Sequence, residues 1–277
     1  MAKKITKKEF NKVVKLHQEW LISDGKKGKR AYLSGVDFSG WEINNVNLNR
    51  AVMTDTNFSG CIINHCSFIY ALLKNADFEN ARIDSLMFNG AVMNGASFKH
   101  AYICASTFTG ADLIGSVFDH SNIMLCNMES ADLHGSSFIH THLNDVNLTY
   151  VNLDYSCLIG AIGLPELVCP EKGSFIGFKK AHYNPNRHIC IVELEILEDA
   201  MRSSATSRKC RCSKAKVLSI STLDGELLDC TAYSDHDSDF EYKVGEIVEV
   251  DNFDTNRWAE CAPGIHFFIT RQEAVNY

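Results

Sequence analysis

From Ala31 to Gly160 the chain repeats every five residues. Cut in fives it reads Ala31-Tyr-Leu-Ser-Gly, Val36-Asp-Phe-Ser-Gly, Trp41-Glu-Ile-Asn-Asn and so on to Ser156-Cys-Leu-Ile-Gly: 26 blocks with no insertion, the middle residue of every block apolar. The first residue of each block is usually small and the other three mostly polar. A helix brings a side chain back to the same face every ~3.6 residues and a strand every second residue, so a strict period of five fits neither. Self-similarity at a fixed period is the mark of a solenoid, whose coils stack and bury a shared core.

A second period, of twenty, runs through the middle positions. One column reads Phe38, Phe58, Phe78, Phe98, Phe118, Phe138; another reads Leu48, Phe68, Phe88, Phe108, Met128, Leu148. Between them lie the column from Ile43 to Leu143 and the column from Leu33 to Leu153, both aliphatic. Aromatic columns on opposite sides of a narrow interior, with aliphatic ones between, suit close packing.

The A(D/N)Lxx pattern, as in Ala76-Asp-Phe, Ala111-Asp-Leu, Ala131-Asp-Leu and Val146-Asn-Leu, resembles the pentapeptide-repeat family. The resemblance implies a right-handed quadrilateral β-helix, one block per side, with the middle residue and the small residue two before it pointing inward. The expected fold is therefore an all-β solenoid. Six and a half coils at ~4.8 Å each would make a shaft roughly 31 Å long.

The flanks read differently. Thr6-Lys-Lys-Glu9 is a capping-box signature, and Phe10, Val13, Val14, His17, Trp20 and Leu21 recur at helical spacing, with Gly25 as a stop. This amphipathic helix is expected to lie across the open first coil, hiding its core and its unpaired edge. The run Lys26-Lys-Gly-Lys-Arg30 after it reads as a solvated linker or as a contact for nucleic acid or an acidic partner. All four prolines, Pro165, Pro170, Pro185 and Pro263, follow the shaft. Strands are expected over Ile189–Leu197, Lys216–Ser221, Tyr242–Val250 and Ile265–Thr270, and short helices over Glu198–Ser203 and Arg271–Asn276. Three segments result: a capping helix with a basic linker at 1–30, the β-helix at 31–164, and a mainly-β (α+β) domain at 165–277. Phe175-Ile-Gly-Phe-Lys-Lys, Arg202 to Val217, Tyr242-Lys-Val-Gly and Cys261 to Phe268 resemble an uncharacterised domain that follows pentapeptide repeats in bacterial and phage proteins. That resemblance implies no activity.

Charge is unevenly shared. The net charge of −7 divides into +7 over residues 1–30, −8 over the shaft and −6 over the remainder. The shaft's acids point outward, and Asp77, Glu79, Asp84, Asp112, Asp119, Glu129 and Asp132 are the candidate interaction surface. Many are the Asp of the repeat itself, so the acidity is either a by-product of the pattern or an imitation of duplex DNA. Duplex carries one charge per ~1.7 Å, about eighteen over roughly 31 Å, against twelve acids spread round the shaft. Charge reversal at such positions is expected to leave the fold intact.

The resemblance to pentapeptide proteins of the quinolone-resistance type, which bind DNA gyrase, points to a DNA-handling protein partner such as a type II topoisomerase. This shaft lacks a loop insertion, and a domain occupies the end through which those proteins dimerise. At −8 the shaft should repel nucleic acid. The runner-up places function in the C-terminal domain, as an enzyme or a nucleotide or phosphate sensor. There Arg202, Arg208, Lys209, Arg211, Lys214 and Lys216, interleaved with serines and Thr206, suit a phosphate; docking on the acidic shaft or plain solvation explains the same cations.

Cys210, Cys212, Cys230, Cys261 and His266 match no compact zinc spacing and read as core or incidental residues, His266 as a hydrogen-bonded structural histidine. Asp235-x-Asp237-x-Asp239-x-Glu241 lacks the Gly and distal Glu of an EF-hand loop. No catalytic motif, cofactor loop or metal site is expected. Eleven cysteines, an odd number, without an apolar leader indicate a reduced, cytoplasmic setting. No apolar run approaches the ~20 residues that span a bilayer.

Overall fold

The computed structural model describes residues 3–184, 186–235 and 239–277. They form two compact units, Met1–Leu164 and Pro165–Tyr277, each with its own core.

The first unit is the solenoid, and its corners explain the period. The fifth residue of every block from Gly35 to Gly160 has a positive φ. That left-handed residue turns the chain, and the N–H of the next residue closes the turn on the carbonyl three residues back, as from Val36 to Leu33 (3.1 Å) and from Ala51 to Leu48 (3.0 Å). Glycine takes the conformation at no steric cost, yet Arg50, Tyr70, Leu125, Tyr150 and Tyr155 adopt it too.

Each side pairs in parallel with the same side of the next coil. One side carries three-residue strands, β3 (Glu42–Asn44), β4 (Ile62–Asn64), β5 (Arg82–Asp84), β6 (Tyr102–Cys104), β7 (Asn122–Met124) and β8 (His142–Asn144), in sequential order in one sheet. The other three sides pair through isolated bridges such as Val52↔Leu72, Asn57↔Asp77 and Ser67↔Met87. The strand-bearing side is that of Ile43, Ile63, Ile83, Ile103 and Ile123, and β-branched residues favour extended backbone. Inside, Phe58, Phe78, Phe98, Phe118 and Phe138 stack with successive centroids 4.8 Å apart. Phe68, Phe88 and Phe108 form the facing stack at 5.2 and 4.9 Å, meeting the first edge-on, as in Phe98–Phe108 at 6.0 Å and 84°. Cys61, Cys66 and Cys126 fill small inward slots, where burial pushes the Cys61 and Cys126 thiols up to about 11.

The first coil is covered by β1 (Lys3–Lys4), parallel to β2 (Val36–Asp37), and by α1 (Lys7–Ile22). Glu9 N–H donates to Thr6 Oγ1 and Thr6 N–H to the Glu9 carboxylate, closing the capping box. Phe10 meets Phe38 and Trp41 edge-on at 5.2 and 5.9 Å. His17 is fully buried: Ala31 N–H donates to its Nδ1 (3.1 Å), so its Nε2–H donates to the Asn49 carbonyl (3.0 Å). Burial lowers its pKa. The run 26–30 is exposed over 26–29 and folds back on α1: Lys29 N–H donates to Leu16 O (2.9 Å), and a Cβ on Gly28 would stand 2.2 Å from that oxygen.

The second unit contains β9 (Phe175–Tyr183), β10 (His188–Ile196), β11 (Arg202–Ser204), β12 (Cys210–Cys212), β13 (Lys214–Ser221), β14 (Ala232–Tyr233), β15 (Glu241–Tyr242), β16 (Ile247–Glu249), β17 (Ile265–Phe267) and α2 (Arg271–Asn276). Its two sheets are ordered β15-β14-β9-β10-β13-β16 and β11-β12-β17. Val192, Leu194, Ile196 and Val217 of the larger sheet share a core with Cys210, Cys212 and Phe267 of the smaller. Two expectations need correction. Glu198–Ser203 is a turn entering β11, because Arg202 donates to the carbonyls of Leu197 (2.7 Å) and Glu198 (2.9 Å) that a helix would bond internally. Tyr242–Val250 is two strands, separated by a turn in which Gly245 has φ 88°.

Candidate functional site

The second position of each block accounts for the Asp-or-Asn preference. Its Oδ1 accepts the N–H two residues on: Asp77 from Glu79 (2.9 Å), Asp132 from His134 (3.1 Å), Asn127 from Glu129 (2.9 Å) and Asn147 from Thr149 (3.0 Å). Asn does this as well as Asp, so the turn needs the oxygen and leaves the charge optional. Asp112 accepts from Ile114 N–H (3.3 Å) and Asn94 Nδ2 (2.6 Å), and Asp119 from Ser137 Oγ (2.5 Å) and Ile139 N–H (3.0 Å). Reversing these four acids would therefore break backbone-supporting bonds, which corrects the expectation that their charge can be reversed without cost to the fold.

The seven candidate acids are not gathered on one side. Following the ladders, Asp112 and Asp132 stand on the side of Tyr32, Asp77, Glu79 and Asp119 on the next side, Asp84 on the third and Glu129 on the fourth. The first two sides are adjacent. They hold Asp37, Asp55, Asp77, Glu79, Asp112, Asp119, Asp132 and Asp154, eight of the shaft's twelve acids. His100, His120 and His140 form an exposed stacked ladder on the second side, with centroids 5.3 and 5.4 Å apart.

The six candidate phosphate-binding cations are also dispersed. Arg202 is spent on carbonyls, including Gly173 (2.7 Å). Arg211 is 2% exposed and donates to the carbonyls of Asp254 (3.1 Å), Pro263 (3.0 Å) and Asn256 (2.8 Å). Arg208 pairs with Glu273 (2.6 Å) and Lys214 with Asp199 (2.5 Å), while Lys216 lies beside Glu195 in the β10–β13 register. Of the six, Lys209 alone lines a cavity of about 460 Å³ in the second unit.

Lys179, which the sequence reading passed over, lines the same cavity together with His266, Tyr242, Phe240 and Tyr277. Lys179 and Lys209 are each 8% exposed. Lys179 Nζ donates to the His266 carbonyl (3.4 Å), and Lys209 Nζ to Tyr277 Oη (3.3 Å). Burial lowers the Lys179 pKa to about 8. His266 Nε2–H donates to the Glu260 carbonyl (3.1 Å); burial first, then Lys209 and Lys179, push its pKa down to about 3, so the ring is neutral. A reading of the alternation Phe175, Gly177, Lys179, Ala181, Tyr183 as one strand face would have exposed the cation on the core side.

Cys210 and Cys212 are core residues, and burial pushes the Cys212 thiol up to about 12. Among the described residues no group of three or more His, Cys, Asp or Glu could hold a metal ion. Asp237 of the acidic run, like Pro185, lies outside the described residues. No helix among them is long and apolar enough to cross a membrane.

The family model for pentapeptide repeats (8 copies) matches residues 31–68, 61–101 and 126–162, and that for a family of unknown function (DUF5758) matches 165–274. Uncharacterized protein L223 of Acanthamoeba polyphaga mimivirus is 33% identical over 139 residues, which cover 46% of this chain and 86% of that protein. A trypsin-treated form of QnrB1, a plasmid-mediated fluoroquinolone resistance protein, aligns over 48% of this chain and 72% of its own at 17% identity, with a TM-score of 0.28. A pentapeptide repeat protein of the Arabidopsis thaliana thylakoid lumen aligns over 45% and 66% at 25% identity, with a TM-score of 0.24. HetL, from the cyanobacterium Nostoc, aligns over 57% and 94% at 13% identity, with a TM-score of 0.19.

Proposed function

We infer the function of this chain from the premise that it belongs to the pentapeptide-repeat family, with a DUF5758 domain C-terminal to the repeats: it is a protein-interaction module that works through its acidic solenoid. The observation that carries this reading is the concentration of eight carboxylates on two adjacent sides of a shaft whose stacked core holds them in fixed rows. A rigid row of like charges recognises an opposite row with little ordering cost on its own side. The partner is a DNA-handling protein with a basic duplex channel. DNA gyrase is the first to test, because the quinolone-resistance members that the shaft resembles bind it.

The test uses neutral substitutions that keep the turn oxygens: Asp77→Asn, Asp112→Asn, Asp119→Asn and Asp132→Asn together, with Glu79→Gln. Binding to gyrase, measured at several salt concentrations, should weaken about tenfold or more and lose much of its salt dependence, since surface charges are screened within ~10 Å at 0.1 M salt. Duplex DNA should compete for the partner. A fivefold-neutralised shaft that binds as tightly as the parent would refute the reading.

A further inference from the structure

The cavity in the second unit holds two ammonium groups where the fold alone would place none. Phe175, Gly177, Lys179, Ala181 and Tyr183 alternate onto one face of β9. Ala181 is fully buried, Phe175 and Tyr183 pack on the core, and a Cβ on Gly177 would meet the Phe267 ring at 2.5 Å. Lys179 therefore stands in a row of core positions, with its Nζ 5.9 Å from the Tyr242 ring centroid. Lys209 enters from the segment before β12 and lies over the Tyr277 ring at 5.3 Å.

Neither lysine pairs with a carboxylate among the described residues. Asp235 lines the smaller hollow beside the cavity together with both lysines and offsets part of the Lys179 charge, but its carboxylate is held by His182 Nδ1 (3.0 Å) and Arg187 (3.2 Å). A buried cation that no carboxylate pairs with directly is among the costlier features a fold can carry. Two at one cavity, beside a histidine kept neutral, make a surplus of positive charge that an anion would balance. The remaining wall is largely apolar or aromatic, with Phe240, Tyr242, Val250, Pro263 and Ile265. At about 460 Å³ the space lies within the range of small-molecule sites, roughly 300–1,000 Å³.

We propose that this cavity binds a small organic phosphate monoester, its phosphate held between Lys179 and Lys209 with Tyr277 Oη as a further donor, and its flat apolar part against Phe240 and Tyr242. Arg211 braces one wall, because its bonds to the carbonyls of Asp254, Asn256 and Pro263 hold the segment whose end, Cys261 to Pro263, lines the cavity. The site is independent of what the solenoid binds.

Titration calorimetry on the full chain at neutral pH, with adenosine 5′-monophosphate, inorganic phosphate and adenosine as probes, tests this. The monophosphate should bind, phosphate more weakly, and adenosine not at all. Lys179→Met and Lys209→Met should each weaken monophosphate binding about tenfold or more. The ligand-free Lys179→Met protein should melt at the same or a higher temperature, since it loses a buried charge that no carboxylate pairs with directly among the described residues. A merely structural lysine would instead lower the melting temperature when replaced. Adenosine binding as well as its monophosphate, no binding of either phosphate at millimolar concentration, or unchanged affinity in both variants would overturn the proposal. If Lys179→Met does not fold, Lys209→Met and the three-probe comparison in the parent protein decide it.

Discussion

At the scale of single residues, the solenoid's corners are where local preference and tertiary demand disagree. The left-handed conformation costs an ordinary L-residue ~1–2 kcal/mol, yet the corner at position 125 is a leucine with φ 52°. Its side chain is 59% exposed, so it gains little packing in return. Asn tolerates the conformation, and Asn45 already adopts it with φ 57° in the same column. Leu125→Asn should therefore stabilise the solenoid by about 1 kcal/mol, seen as a higher midpoint in urea or heat. An unchanged or lower midpoint would mean that the leucine packs better than its exposure suggests.

At the scale of elements, the aromatic stack is the unit that holds successive coils in register. Phe98 lies 4.8 Å from both Phe78 and Phe118, within 2° of parallel to each, and meets Phe108 edge-on. Phe98→Asp would put a carboxylate in this interior with no partner, and the solenoid should fail to fold. Phe98→Leu keeps an apolar filling of smaller volume and should fold with a lower melting temperature, by about 1–3 kcal/mol of stability. The pair separates burial of charge from loss of ring contacts. A soluble, normally melting Phe98→Asp protein would contradict the inward assignment.

At the scale of the whole molecule, two arginines do much to organise the start of the second unit. Arg257 donates to the carbonyls of Pro165 (3.0 Å), Glu166 (3.4 Å) and Ser204 (3.1 Å). Arg202 donates to Pro170 (3.3 Å) and Gly173 (2.7 Å) as well as to the turn after β10. The irregular segment after Leu164 thus has its backbone oxygens satisfied by guanidinium groups rather than by a sheet. Arg202→Met removes those donors and should cost the second unit about 3 kcal/mol, while the solenoid's own ladders are untouched. Hydrogen exchange should show faster exchange through β9–β13 and unchanged protection in β3–β8. Equal loosening of both sets would mean that the two units share one cooperative transition.

The period of five, the inward Phe and Ile columns and the Thr6–Glu9 capping box were all legible in the chain, because each depends on residues close in sequence or on a repeat that forces distant coils into one register. The Asp of the repeat was legible as a pattern but not as a function: bonds such as the one the Glu79 N–H donates to Asp77 Oδ1 reveal that an oxygen, and not a charge, is what the turn requires. The basic run from Arg202 to Lys216 shows the reverse. Its composition pointed to a phosphate, but the fold turns Arg202 and Arg211 onto backbone oxygens and leaves Lys209 alone at the cavity, opposite a lysine thirty residues earlier. Repetition lets neighbouring residues decide the solenoid in advance. In the second unit, which cation meets a carbonyl, a carboxylate or an open cavity depends on strands far apart in sequence, and only their packing decides it.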